Sequence, residues 1–123
     1  MQAPSRVMLL GSSSGGTVTG VTSGTSQAIN RLGSEEVSVY VRGSGTISGG
    51  TLLIEEADYG DDEPPYSGTW SQLVSVACSE VTGGAQKGVH LSLGAYGYLR
   101  ARISSAVTGG GTIAVVLLAD GDN

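Results

Sequence analysis

Ser13, Cys78 and His90 are the residues of this 123-residue chain whose types could support nucleophilic chemistry. Ser13 is central in a Gly-x-Ser-x-Gly motif, residues 11–15, which activates serine only where a strand turns sharply into a helix beside a histidine base. No helical pattern follows, and the single histidine has no acid at a triad-like placement. A lone His and a lone Cys cannot complete a zinc site. The sequence therefore predicts a protein that is not an enzyme, with no catalytic residue, metal or cofactor.

Residues 55–66 carry the strongest charge feature, with six of the eleven acidic residues of the chain. The donor order of an EF-hand calcium loop is not met. Three interpretations remain open: a weak, unspecific cation site, a solvated loop whose charges oppose edge-to-edge association, or a loop that docks on a basic partner surface through its acidic and aromatic side chains. The candidate capsid or partner contacts are Tyr59, Asp61, Asp62, Glu63 and Tyr66.

A second group of candidate contacts lies on strand patterns. Alternation from residue 98 places Tyr98, Arg100 and Arg102 on one face, and three valines in residues 37–41 leave Tyr40 on the face opposite them. If the apolar faces point inward, these four side chains are exposed. Tyr and Arg are typical of interface hot spots, so they are candidate oligomer or surface contacts. A sugar-stacking platform and ordinary strand statistics are the alternatives.

These side chains must be positioned by strands, because short apolar-polar alternations recur between turn signals and no helix-forming segment is present. The sequence predicts an all-β fold, an antiparallel β-sandwich that is jelly-roll-like, with eight or nine short strands. Residues 1–16 are expected to form a flexible N-terminal arm, or a first edge strand plus a Ser/Gly loop, and residues 17–123 a single β-sandwich domain. The candidate strands are 6–10, 17–22, 27–32, 36–42, 51–57, 69–78, 89–93, 97–104 and 112–119.

The end of the chain predicts a hairpin. The glycines at positions 109–111 allow a chain reversal, which would return residues 113–118 as the antiparallel partner of the strand from residue 97. This last strand is apolar on both faces. It is therefore expected either at the centre of a sheet, with something laid over its second face, or at an oligomer contact.

Charge and hydropathy exclude several classes of partner. The net charge of −5 and six scattered basic residues argue against nucleic-acid binding. No apolar run approaches the ~18 residues of a membrane span. A single cysteine fits a reducing compartment, so the chain is expected to be soluble and made in the cytoplasm.

Three segments together resemble small structural proteins of tailed bacteriophages. They are residues 68–73 (GTWSQL), 93–103 (LGAYGYLRARI) and 107–116 (VTGGGTIAVV), and the resemblance covers the chain from Thr51 onward. Head decoration, or cement, proteins are among this group. The resemblance implies a β-sandwich or jelly-roll subunit that adds in many copies to the capsid exterior of the virion and bridges neighbouring major capsid proteins. It further implies a homo-oligomer, a dimer or trimer, without catalysis. A carbohydrate-binding or tail/fibre-associated β-sandwich module is the competing function.

Overall fold

The fold comes from a computed structural model, which describes residues 5–30, 36–57, 70–92 and 98–119. Within these residues the chain forms eleven strands and one short 3-10 helix, Cys78–Gly84, which links the eighth strand to the ninth. The strands are β1 (Ser5–Leu10), β2 (Ser12–Ser14), β3 (Thr17–Thr19), β4 (Gly24–Thr25), β5 (Ile29–Asn30), β6 (Glu36–Ser44), β7 (Gly49–Ala57), β8 (Ser71–Ala77), β9 (Gln86–Ser92), β10 (Tyr98–Thr108) and β11 (Thr112–Ala119).

Two antiparallel sheets carry the architecture. The front sheet has the order β1-β11-β6-β9, and the back sheet has the order β4-β10-β7-β8, with β5 also paired to β10. The hydrogen-bonded pairs β1–β11, β4–β10, β6–β9 and β7–β8 are nested, the first strand pairing with the last. This nesting is the strand order of a jelly roll. The prediction of an all-β, antiparallel, jelly-roll-like sandwich is confirmed.

The core lies between the two sheets, because alternate side chains of each strand point toward the other sheet. Residues of both sheets belong to one buried cluster, and each buried Val, Leu or Ile contributes about 1.5–3 kcal/mol relative to an exposed one. The central members are Val37, Val39 and Val41 of β6, Leu52 and Ile54 of β7, Leu99 and Ala101 of β10, and Ile113, Val115 and Leu117 of β11.

All nine predicted strand segments contain a strand. The additional strands, β2 and β4, are two or three residues long and consist of Ser, Gly and Thr, so no hydrophobic alternation marks them. β2 and β3 pair as a hairpin, which places the Gly-x-Ser-x-Gly motif in a β-turn region rather than at a strand-to-helix turn. The described residues contain no helix that is long and apolar enough to cross a membrane.

The predicted closing hairpin is wrong. Gly109 and Gly110 do adopt positive φ, 105° and 100°, but they carry the chain from the back sheet to the front sheet. β10 pairs with β4, β5 and β7, whereas β11 pairs with β1 and β6. A glycine turn permits reversal without specifying the partner, and a strand that is apolar on both faces is buried better in the middle of the other sheet.

β11 occupies a central position in the front sheet, one of the two alternatives for this strand. Its second face is buried as well: Ala114 and Val116 are 3% and 8% exposed. The chain after β1 covers part of that face, since a Cβ built on Gly11 would lie 3.2 Å from the Cβ of Ala114. β1 itself is the edge strand beside β11, and it adds Leu9 and Leu10 to the core.

Candidate functional site

The outer face of the back sheet carries an ion-pair cluster around one buried carboxylate. Glu55 of β7 lies directly opposite Arg100 of β10 and is 5% exposed. Arg100 Nε donates to Glu55 Oε1 at 2.8 Å. Arg102 Nε donates to the same oxygen at 3.1 Å, and its Nη2 donates to Glu55 Oε2 at 3.1 Å. One carboxylate therefore binds two guanidinium groups from the neighbouring strand.

The electrostatics of this cluster favour the ionised state of its members. Burial acts to raise the pKa of Glu55, but the hydrogen bonds from Arg102 and Arg100 and their positive charges outweigh it, so the pKa lies below its ordinary value. In return, the hydrogen bond to Glu55 raises the pKa of Arg102. Trp70, which precedes β8, adds a cation–π contact, with the Arg100 guanidinium carbon 4.2 Å from the centre of its ring. The two arginines are engaged within the chain.

The expectation that Tyr98 is an exposed contact residue is wrong. Alternation along β10 does place Tyr98 on the same face as Arg100 and Arg102, but its exposed fraction is only 2%. The period of a strand determines which face a side chain occupies, and it says nothing about what covers that face. Arg100 and Arg102 remain partly exposed, at 23% and 36% of their side-chain surface, while bound to Glu55.

On the outer face of the front sheet, strand register places side chains in three rows that run across the strands. The first row contains Arg6, Leu118, Ser38 and His90, the second Met8, Val116, Tyr40 and Gly88, and the third Ala114, Arg42 and Gln86. Together these eleven residues form the front face. Tyr40 is thus flanked by an apolar strand on one side and a polar edge strand on the other.

The Tyr40 ring lies across β9 because residue 88 has no side chain. A Cβ built on Gly88 would lie 2.9 Å from Tyr40 Cε1 and 3.2 Å from its Cδ1, closer than ordinary van der Waals contact. The His90 ring meets Tyr40 edge-on, with centroids 6.1 Å apart and an interplanar angle of 83°. Ser38 Oγ in turn lies 2.7 Å from His90 Nδ1. Glycine, histidine and serine together fix the tyrosine in one orientation.

A shallow depression of about 210 Å³ opens beside Tyr40. Arg42 reaches along its rim, where Nε and Nη2 donate to Gln86 Oε1 at 3.3 and 3.2 Å. The depression therefore combines an aromatic ring, guanidinium groups, an amide and an apolar floor. Its lining residues are Arg6, Tyr40, Arg42, Gln86, Val116 and Leu118.

The candidates for nucleophilic chemistry, Ser13, Cys78 and His90, lie on β2, the 3-10 helix and β9, respectively. Ser13 belongs to the exposed strand β2, and the hydroxyl that the structure brings to His90 is that of Ser38. Cys78 is fully buried, and burial raises the pKa of its thiol. The described residues contain no group of three or more His, Cys, Asp or Glu side chains that could hold a metal. The acidic-loop candidates lie outside the described residues; they are Tyr59, Asp61, Asp62, Glu63 and Tyr66.

Sequence reasoning missed the roles of Glu55, Arg6, Gln86 and Gly88. Glu55 belongs to the predicted strand 51–57 as well as to the acidic segment 55–66, but neither pattern indicates its pairing with Arg100 and Arg102 of a distant strand. Arg6 and Gln86 give no local signal, because they approach Tyr40 and Arg42 only through the pairing of distant strands.

The fold is a small jelly-roll sandwich, whose back sheet pairs one glutamate with two arginines and whose front face combines Tyr40 with two exposed arginines. The chain is similar in fold to a protein described as "SPBc2 prophage-derived protein YomS", whose crystal structure aligns over 96% of this chain and 96% of that one. The TM-score is 0.52 and the sequence identity is 11%, so the likeness shows a shared fold. No protein-family model matches the sequence, and no curated protein does either.

Proposed function

We propose that this chain is a structural protein of a phage virion, which decorates the outside of the capsid and stabilises it by bridging neighbouring major capsid proteins. The observation that carries this proposal is the end-to-end fold likeness to a prophage-derived protein, over 96% of both chains. It agrees with the sequence resemblance to phage head decoration proteins, which rests on residues 68–73, 93–103 and 107–116. Fold alone does not assign a function, so the virion role is an inference from both.

The physical character of the domain supports a role that depends on many copies. A sandwich of this size presents small surfaces, so each proposed contact with one capsid subunit would be weak. Contact with several subunits at once multiplies modest affinities through effective concentration. The proposed partners are the major capsid protein and further copies of this chain, as a dimer or trimer, whose closed symmetry would repeat the same contact. Nucleic acid, membrane and catalysis have no part in the proposal.

Two regions are proposed as contact surfaces. The acidic loop, with Tyr59 and Tyr66 among its aromatic residues, would meet a basic capsid surface. The partly exposed edges of Arg100 and Arg102 on the back sheet would contribute to oligomer contacts, and Tyr40 on the front sheet remains a candidate surface contact. Tyr98 is excluded from this role because it is buried within the subunit.

The test is reconstitution with capsids that lack the protein. Purified protein added to expanded capsids should co-sediment with them and raise their melting temperature, and quantitative gels of virions should give hundreds of copies per particle. A matched variant with Asp61, Asp62 and Glu63 changed to the corresponding amides should bind more weakly while retaining its own melting temperature. Equal capsid melting with and without the protein, or only a few copies per virion, would reject the decoration role.

A further inference from the structure

We propose that the front face of this jelly roll binds an acidic saccharide, through a pyranose ring that carries a carboxylate, with Arg6, Tyr40 and Arg42 as its main contacts. The inference does not depend on the virion role, because it rests on the geometry of one depression. It would give the protein a ligand of its own, in addition to any protein partner.

Tyr40 supplies a fixed aromatic platform. Its ring lies across β9 over Gly88 and meets His90 edge-on, and Ser38 holds the histidine. The apolar C–H face of a pyranose packs well against such a ring. Because the tyrosine is already held in place, little side-chain entropy is lost when a ligand stacks on it. A side chain at position 88 would displace the ring, so the glycine is part of the site.

The charge of the depression selects an anion. Arg6 and Arg42 are both exposed, and no carboxylate of the described residues forms an ion pair with either. This contrasts with the back sheet, where Glu55 engages two arginines. A guanidinium group binds a carboxylate through two parallel hydrogen bonds, and this geometry is selective as well as strong. In Arg42, Nε and one Nη2 hydrogen are bound to Gln86, so Nη1 and the second Nη2 hydrogen form the pair that faces a ligand. Two such groups on one face of a chain with net charge −5 are complementary to an acidic ligand.

The remaining lining groups suit the hydroxyls and the second face of a sugar. Gln86 Oε1 accepts two bonds from Arg42, which orients both side chains and leaves the Gln86 amide NH₂ to donate to a ligand. Val116 and Leu118 form an apolar floor beside them. At about 210 Å³ the depression is smaller than the ~300–1,000 Å³ pockets of drug-sized ligands, so one sugar ring is the fitting unit.

An acidic peptide is the competing occupant, because it would meet the same two arginines. Peptides bind sheets along an open edge or lie in an extended groove. The depression instead lies on the face of the front sheet, over the inner strands β11 and β6, and only six residues line it. The flat ring and the planar amide and guanidinium groups favour the saccharide.

The binding test uses ¹⁵N-labelled full-length protein titrated with sodium glucuronate, glucose, sodium acetate or a tetraglutamate peptide at constant ionic strength. Glucuronate should shift the amide resonances of β6, β9 and β11 around Tyr40, with glucose at least about tenfold weaker because it lacks the carboxylate. An equal response to acetate would show that the site binds an adventitious ion only, and this result would overturn the proposal. A response to the peptide without one to glucuronate would overturn it in favour of a protein partner.

Variants of the two arginines test where the ligand binds and whether positive charge alone is enough to bind it. Arg6→Ala and Arg42→Lys should each weaken glucuronate binding by about tenfold, since the first removes a guanidinium and the second keeps the charge but loses the forked donors. Lys87→Ala is the matched control, because it removes a positive charge that is bound to Glu80 outside the depression. Arg6 is exposed on an edge strand, so its substitution tests the site with little effect on folding. Unchanged binding in both arginine variants would refute the assignment.

Discussion

At the scale of single residues, the two outer faces show how the same residue types take opposite roles. Arg100 and Arg102 are bound to a buried carboxylate, and Trp70 stacks on Arg100, whereas Arg6 and Arg42 are exposed beside Tyr40. The sequence correctly placed Tyr98, Arg100 and Arg102 on one face, because alternation is a local property. The sequence could not place Glu55 against Arg100 and Arg102, because these arginines follow it in the chain by 45 and 47 positions.

Glu55→Gln should destabilise the fold, because it leaves two guanidinium groups beside a neutral amide that can no longer balance their charge. Breaking a fully buried ion pair costs ~3–5 kcal/mol, and since both arginines are partly exposed we expect about 1–3 kcal/mol here. The measurement is the urea unfolding midpoint. Glu80→Gln is the control, since its pair with Lys87 is exposed and should contribute less than about 1 kcal/mol. Equal losses in the two variants would show that Glu55 is no better paired than a surface residue.

The same two variants give a pH readout. The pKa of Glu55 is lowered in the folded state, so the unfolded chain binds more protons once the pH falls below the ordinary value of about 4.5. The stabilisation from this group is therefore present above that pH and is lost as the pH falls through the folded-state pKa. Unfolding free energies measured from pH 6 to pH 3 should fall more steeply for wild type and Glu80→Gln than for Glu55→Gln. Parallel slopes in all three would contradict the lowered pKa.

At the scale of elements, local pattern specified the strands but not their partners. All nine predicted segments hold strands, since alternation and turn residues act over a few positions. The partner of β11 was mistaken because a glycine turn is compatible with a hairpin and with a crossing between sheets. The 3-10 helix was missed because its sequence, CSEVTGG, has no helical period and contains non-helical backbone at Val81, Thr82 and Gly83.

Gly43→Ala should test how this helix is held against β6. A Cβ at residue 43 would overlap the carbonyl oxygen of Val81, and the Gly43 amide donates to the Ala85 carbonyl at 3.0 Å. The backbone of the helix approaches the strand too closely for any side chain, so overpacking should cost about 1–3 kcal/mol in urea unfolding. Ser44→Ala, at the exposed next position of β6, should change stability by less than about 0.5 kcal/mol. An unchanged unfolding free energy in Gly43→Ala would mean that the helix can move away from β6 without loss of stability.

At the scale of the whole molecule, the jelly roll makes the two ends of the fold depend on one another. β1 pairs with β11 from Ser5 opposite Ala119 to Leu10 opposite Val115, and β11 also pairs with β6. The front sheet is therefore complete only when strands far apart in the chain have met, and such non-local pairing predicts slow folding, in the ms–s range. Local patterns could not reveal this dependence, because the pairing of first and last strands leaves no mark on either sequence.

Removal of residues 1–10 tests that dependence directly. Without β1, the chain loses Leu9 and Leu10 from the core, and β11 becomes an apolar edge strand with unpaired backbone groups, a template for strand addition by other chains. We expect a lower melting temperature and concentration-dependent association beyond that of the full chain, measured by light scattering during size-exclusion chromatography. Val116→Lys in the shortened chain should reduce this association, because a charged side chain on an edge strand opposes strand addition. A shortened chain with the full chain's melting temperature and association state would show that β1 is dispensable, and that the jelly roll is closed by its other pairs.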